Sequence, residues 1–234
     1  MSRFDFKKFS LSDDNTPMKI GMDSVILGAW SSVPEQGRAL DIGTGCGLLA
    51  FMIARRSPRL SITGVEIYKP AYNDAVENLK NFSLPHNINF VNSDIRAWND
   101  DRGFDLVITN PPYFKGDLKP GDGGRSLARF QDGLPLDLLV EKVSKLLKPS
   151  GRFSIIIPAG QAFEVNRSCV SNGLVLHRKL NVRHRIDLPV KRILLEFGYE
   201  NPHKIVDEEL VIEDASGEYT VEYKRLMRDF YLAF

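Results

Sequence analysis

Leu40-Asp41-Ile42-Gly43-Thr44-Gly45-Cys46-Gly47 decides how this chain is read. A short aliphatic run, Ala39–Ile42, leads into it, and a stretch with helical spacing, Leu48–Arg56, leads out. Strand, glycine turn and helix in that order form the first half of a βαβ unit. Glycines at alternate positions let the backbone turn sharply and approach a ligand, since no Cβ intervenes. A dinucleotide loop of GxGxxG form would need glycine at position 48, where the chain has Leu48, and no Gly-Lys-Ser or Gly-Lys-Thr follows to make a phosphate loop. Asp41, two residues before the first glycine, repels a pyrophosphate and suits a cation. S-adenosylmethionine, with an ammonium, a sulfonium and no phosphate, is the favoured ligand. On this stretch alone, another nucleotide or a purely structural turn stays open.

Further short apolar runs flank this unit: Ser61–Val65, Ile88–Val91, Leu106–Thr109 and Phe153–Ile157. They are continuous rather than alternating in polarity, as expected of parallel strands buried on both faces. Helical stretches separate them, namely Pro70–Phe82 and a third with Leu136, Leu139, Val140, Val143, Leu146 and Leu147 on one face. Two more strands, Leu174–Val182 and Arg192–Tyr199, follow; an acidic one, Glu209–Glu213, precedes an amphipathic helix from about Val221. The expected fold is a doubly wound, Rossmann-like α/β domain. Its expected division is a single domain over 1–234, with an N-terminal cap segment at 1–37, a catalytic core at 38–200, and a terminal strand and helix at 201–234.

Composition agrees. The 234 residues are 43% hydrophobic and 26% charged, within the globular range, and 31 Lys+Arg against 30 Asp+Glu exclude a polybasic binder on bulk charge. Cys46 and Cys169 form no CxxC pair and four histidines show no ligand spacing, so no metal site is expected. The opening MSRFDFKKFSLSDD has no apolar leader region and no run is long enough to span a membrane, which points to a cytoplasmic protein. Charge is nevertheless uneven. Residues 152–192 hold eight Lys/Arg against two Asp/Glu, and residues 200–222 hold one Lys against eight Asp/Glu, so a basic face is expected around Arg178, Lys179, Arg183, Arg185, Lys191 and Arg192.

Two more acids strengthen the cofactor reading. Glu66 ends the second strand, where a carboxylate can accept ribose hydroxyls, and Asp94 follows the third, where one can accept an adenine amine. Three acids at successive C-terminal strand ends, beside Gly43, Gly45 and Gly47, mark the ligand edge of an open α/β sheet. The fourth strand runs into Asn110-Pro111-Pro112-Tyr113-Phe114. Proline after Asn110 biases it to an extended backbone, so its side-chain oxygen and the Pro111 carbonyl can face the cleft as paired acceptors for a planar NH2 group. Tyr113 offers a flat surface for a base. A rigid turn with a buried tyrosine is the plainer alternative.

Asp-x-Gly-x-Gly followed by Asn-Pro-Pro-Tyr resembles the class I amino-methyltransferases. Phe9 with Met18-Lys19-Ile20-Gly21-Met22-Asp23-Ser24-Val25-Ile26-Leu27-Gly28-Ala29-Trp30, Arg125-x-x-Ala128-Arg129, Arg192–Phe197, and Tyr223 with Met227-Arg228-Asp229-Phe230-Tyr231-Leu232 resemble the bacterial tRNA1(Val) adenine-N6-methyltransferase family over nearly the whole chain. Met22-Asp23-Ser24 departs from the Thr-Asp-Gly expected there. The resemblance implies a seven-stranded, mostly parallel sheet whose last two strands form an antiparallel hairpin. It also implies S-adenosylmethionine as cofactor, with Lys19 and Asn110 joining its site, and methylation of N6 of adenosine 37 in the tRNA1(Val) anticodon loop.

In that reading Asn110, Pro111 and Tyr113 carry catalysis. Lys115, Lys119, Arg125 and Arg129, in a glycine-rich segment long enough to be a substrate loop, hold RNA together with Arg183, Arg185, Lys191 and Arg192. Lys7 and Lys8 among Phe4, Phe6 and Phe9 read better as a packed arm than as RNA contacts. Two other enzyme classes share parts of the pattern: glutamine-N5 methyltransferases acting on release factors, and rRNA guanine-N2 methyltransferases. A cofactor-binding scaffold without catalysis is a third possibility. The basic hairpin, the single glycine loop and the intact tetrad argue for the tRNA reading.

Overall fold

The structure, a computed structural model, describes residues 3–82, 87–112 and 134–234. Strands β1 (Arg3–Asp5) and β2 (Ser10–Ser12) pair as a hairpin ahead of α1 (Met22–Trp30). The alternating part follows: β3 (Gln36–Ile42), α2 (Leu48–Arg56), β4 (Arg59–Glu66), α3 (Lys69–Lys80), β5 (Asn87–Asn92) and β6 (Phe104–Thr109). Then come α4 (Leu136–Leu146), β7 (Leu147–Pro158), α5 (Ala162–Ser171), β8 (Val175–Arg185), β9 (Arg192–Gly198), β10 (Val206–Glu213) and α6 (Val221–Met227).

The main sheet has eight strands in the order β10-β8-β9-β7-β6-β3-β4-β5. Strand β9 is antiparallel to both β7 and β8, which is the expected hairpin. The expected count of seven is corrected: the acidic strand β10 adds parallel to β8 as an eighth, outermost member. The central strands bury both faces. On β6, Leu106 and Ile108 enter one apolar cluster with α1, α2 and α6, while Phe104 and Val107 enter the other with α4 and α5. That two-sided burial explains the unbroken apolar runs, and each such large side chain contributes about 1.5–3 kcal/mol.

The sequence between β8 and β10 brings its opposite charges into register. Asp207 lies beside Lys179, and Glu208 and Glu209 follow. Arg178 meets Glu208 at 3.0 Å, Lys179 meets Asp207 at 3.7 Å, and Arg183 pairs with Glu209. The basic face expected there is thus largely neutralised within the sheet. The phenylalanines of the opening segment are packed, as expected: Phe6 stacks on Phe9 at 4.7 Å and on Tyr231 at 6.2 Å.

Candidate active site

From β3 the chain winds through β4 to β5 on one side, then returns to lay β6 against the other side of β3. The connections leaving β3 and β6 therefore diverge, and a crevice opens at their C-terminal ends. A cleft of about 520 Å3 occupies that place, within the size range of small-molecule sites. Gly43–Cys46, Glu66, Asp94, Asn110, Pro111 and Thr16–Ile20 are among the residues lining it.

Gly43 has φ +69° and Gly47 φ +91°, backbone conformations that side chains strain to adopt. A Cβ on Gly43 would meet nothing within 4 Å, so this backbone faces open space where a ligand can come close. A Cβ on Gly47 would lie 2.6 Å from Phe51 and 2.9 Å from Phe90. Gly47 is absent from the cleft wall and serves helix packing instead.

Asp41 also departs from its expected place. It is fully buried and does not line the cleft. Its Oδ2 accepts hydrogen bonds from the Thr44 hydroxyl and, at 3.2 Å, from the Ala50 amide, fastening the loop to the start of α2. Its Oδ1 is buried without a partner, and burial pushes the carboxyl up to about 7.

Glu66 does reach the cleft. Its two oxygens accept from the Gly45 amide at 2.9 Å and the Tyr68 amide at 2.8 Å, and burial raises its pKa above the usual range. Asp94 lines the cleft opposite the glycine loop, gripped by the Arg96 guanidinium, which holds its carboxyl below the usual range. Cys46, in the same loop, is buried and its thiol is pushed up to about 12, so it is a packing group rather than a nucleophile.

One wall of the cleft comes from the N-terminal segment, through contacts the sequence did not signal. Asp74 on α3 accepts from the Asn15 amide and the Thr16 hydroxyl, both at 2.9 Å. Asn78, one turn on, accepts from the Ser12 amide at 2.9 Å and donates to the Cys46 carbonyl at 3.0 Å. The polar pair at i, i+4 spacing on the inner face of α3 was the available signal. Thr16–Ile20 is thereby set beside the glycine loop. Lys19 lines the cleft, with its ammonium donating to the Asp13 and Asp14 carbonyls.

Asn110 leaves β6 half-buried at the cleft, and its Nδ2 donates to the Ser24 hydroxyl at 2.8 Å. Pro111 and Pro112 line the cleft beside it. Tyr113, Lys115, Lys119, Arg125 and Arg129 lie outside the described residues.

The hairpin cations are differently placed from one another. Arg183 is held by Glu209, Arg185 by Asp187 at 3.0 Å, and Arg192 by Asp23 at 2.7 Å. Lys191 is exposed and makes no ion pair among the described residues. It rims a shallow groove floored by Pro158, Leu188, Pro189 and Val190. His184 faces Glu213 at 3.3 Å, and His177 is half-buried with its pKa lowered by burial. Among the described residues no His/Cys/Asp/Glu group could hold a metal ion, and no helix is long and apolar enough to cross a membrane.

This geometry has counterparts among known proteins. The family model for the methyltransferase small domain matches residues 23–166. The tRNA1(Val) (adenine(37)-N6)-methyltransferase of Pseudoalteromonas translucida is 38% identical, with 99% of each chain covered. That of Bacteroides thetaiotaomicron is 40% identical over 98% of this chain and 97% of its own. Among solved structures, a predicted O-methyltransferase from Agrobacterium tumefaciens superposes with a TM-score of 0.67 at 19% identity, covering 89% of this chain and 96% of its own. A ribosomal protein L11 methylase from Lactobacillus delbrueckii gives 0.55 at 18% identity, covering 77% of each chain. These two likenesses are of fold.

Proposed function

Because the chain belongs to the tRNA1(Val) (adenine(37)-N6)-methyltransferase family, within the methyltransferase small domain group, we propose that Asn110 and Pro111 hold the N6 amine of adenosine 37 at the mouth of the cleft. The reaction is methyl transfer from S-adenosylmethionine to that nitrogen in tRNA. The observation that carries the assignment of residues is the meeting of the glycine loop and Asn110-Pro111 in one cleft, at the point where the sheet order reverses.

The open space above Gly43 and the carboxylate of Glu66 fit the cofactor, and Lys19, Asp94, Gly45 and Asn110 would complete its surroundings. Asp41 and Gly47 support it from beneath by holding the loop in shape. When bound, S-adenosylmethionine supplies an electrophilic methyl group on a sulfonium. The adenine amine is a weak nucleophile because its lone pair is delocalised into the ring. Two acceptors, the Asn110 side-chain oxygen and the Pro111 carbonyl, draw its hydrogens out of conjugation and fix the nitrogen for in-line attack, so that positioning supplies most of the rate. No strong base is required, since the nitrogen becomes acidic as its new bond forms. Tyr113 stacks on the base once it has left the anticodon loop, which costs less than extraction from a duplex.

Phosphates are held by Lys191 at its groove and by Lys115, Lys119, Arg125 and Arg129. Arg183, Arg185 and Arg192 would act only on release from their carboxylates. Residues 1–37 and 201–234 belong to one domain with the core, in a cytoplasmic setting where tRNA is found.

The test is methyl transfer from labelled cofactor to unmodified bulk tRNA, followed by nucleoside digestion and mass spectrometry. N6-methyladenosine that disappears with Asn110→Ala, while cofactor affinity stays near wild type, is the expected result. Label in a release factor, or in guanosine, would overturn the substrate; equal loss of cofactor affinity and turnover would overturn the role of Asn110.

A further inference from the structure

We infer that Ser24 is a positioning residue for the amide of Asn110: its hydroxyl decides which arm of that side chain faces the substrate. The inference rests on the role proposed above for Asn110 and adds a residue to that machinery. Ser24 is the third residue of α1, half-buried, and lines the cleft. Its helix start is pinned from two directions. Asp23 is bound by Arg192 of β9 at 2.7 Å, and the Ile20 amide donates to Asp13 at 2.8 Å. The Ser24 hydroxyl is therefore carried on a fixed frame.

Asn110 Nδ2 lies 2.8 Å from this hydroxyl and 3.8 Å from the Met18 sulfur. A hydroxyl both donates and accepts, so on its own it cannot distinguish the nitrogen of an amide from the oxygen. A thioether sulfur only accepts. With the sulfur and the hydroxyl on the same side, the nitrogen arm belongs toward α1 and Met18, and the oxygen takes the other arm of the planar group. That orientation matters chemically. An adenine NH2 needs an acceptor; a flipped amide would set N–H donors against N–H donors and could not hold it. Ser24 is thus the partner that keeps Asn110 in its accepting state.

Removing the hydroxyl with Ser24→Ala should let both amide orientations be populated. A net hydrogen bond of ordinary strength corresponds to roughly a five- to tenfold preference. The expected result is a fall in kcat of about that size, with KM for tRNA, cofactor Kd and thermal midpoint near wild type, and with kcat restored by Ser24→Thr, which returns a hydroxyl. Wild-type kcat in Ser24→Ala alongside an inactive Asn110→Ala would overturn the role of Ser24 while leaving that of Asn110 standing. A loss of cofactor affinity in step with kcat, or no rescue by threonine, would make Ser24 a packing residue and overturn the inference equally. Full turnover in Asn110→Ala would remove the premise, and is distinguishable because it appears in that variant alone.

Discussion

Asp41→Asn should change how stability depends on pH more than it changes stability at any one pH. Burial moves the Asp41 carboxyl from 3.8 to about 7, and its Oδ1 has no partner to offset the loss of solvent. Below pH 4 the folded and unfolded chains both hold this proton. Between pH 4 and 7 the unfolded chain has released it and the folded chain has not, so folded-state stability falls as pH rises, and the loss is complete once the folded pKa is passed. At about 1.36 kcal/mol for each pH unit in that window, the fall between pH 5 and 8 amounts to about 2–3 kcal/mol. Asparagine keeps an acceptor for Thr44 and does not titrate. Urea unfolding of both proteins at pH 5, 6, 7 and 8 isolates the effect as the pH trend of the difference, because any constant offset from the substitution cancels. The wild type should lose about 2–3 kcal/mol relative to the variant over that range. Parallel curves, within about 0.5 kcal/mol, would refute a buried, proton-holding Asp41.

Gly47→Ala places a Cβ against Phe51 and Phe90 at a φ of +91°, and should lower stability by about 2 kcal/mol or more in thermal unfolding; an unchanged midpoint would contradict the packing described. Glu66→Gln leaves one of the Gly45 and Tyr68 amides facing an NH2 group rather than an oxygen, and calorimetry should show cofactor affinity falling about tenfold or more. An unchanged Kd would remove Glu66 from the site. Glu209→Ala frees Arg183 from a half-exposed pair, so stability should move by only about 0–1 kcal/mol. Affinity for tRNA should rise and its salt dependence steepen, and an unaltered salt slope would show that Arg183 never reaches RNA.

The legible parts of this fold are those where burial writes directly into the sequence. Strands between two cores must be apolar on both faces, so the apolar runs place β3 to β6 to within a few residues, and the helical spacing after the glycine loop gives α2 as Leu48–Arg56. In β7 the apolar pattern starts only at Phe153, because Leu147–Arg152 carries Lys148, Pro149 and Ser150 and α4 passes into it without a loop. Helix α1 leaves no periodic trace: Val25, Ile26, Leu27, Gly28 and Trp30 are all buried, and a helix covered nearly all round shows no amphipathic period. In α5, Phe163 is 80% exposed and blurs the apolar stripe. The location of the cleft follows from glycine and acid positions, but the depth of Asp41 does not. Composition records an acid before a loop, not whether the loop folds over it. The charge clusters are visible as numbers, while their pairing depends on β10 lying beside β8, which no local pattern encodes.

The opening hairpin sets the order in which the cleft is assembled. The Lys7 amide donates to the Phe230 carbonyl at 2.8 Å, and its ammonium reaches the Arg228 carbonyl, 221 positions along the chain. The residues that follow Lys7 are those that run on to the cleft wall at Thr16–Ile20. On a ribosome the first dozen residues emerge early, yet their docking surface is synthesised last. The earliest-made segment must therefore wait, and one side of the donor pocket closes only when translation is nearly complete. Closing so long a loop adds a modest entropic cost, since that cost grows only with the logarithm of length. The delay it imposes is topological: a partly made chain can build its sheet and its glycine turn, but it cannot yet enclose a methyl donor.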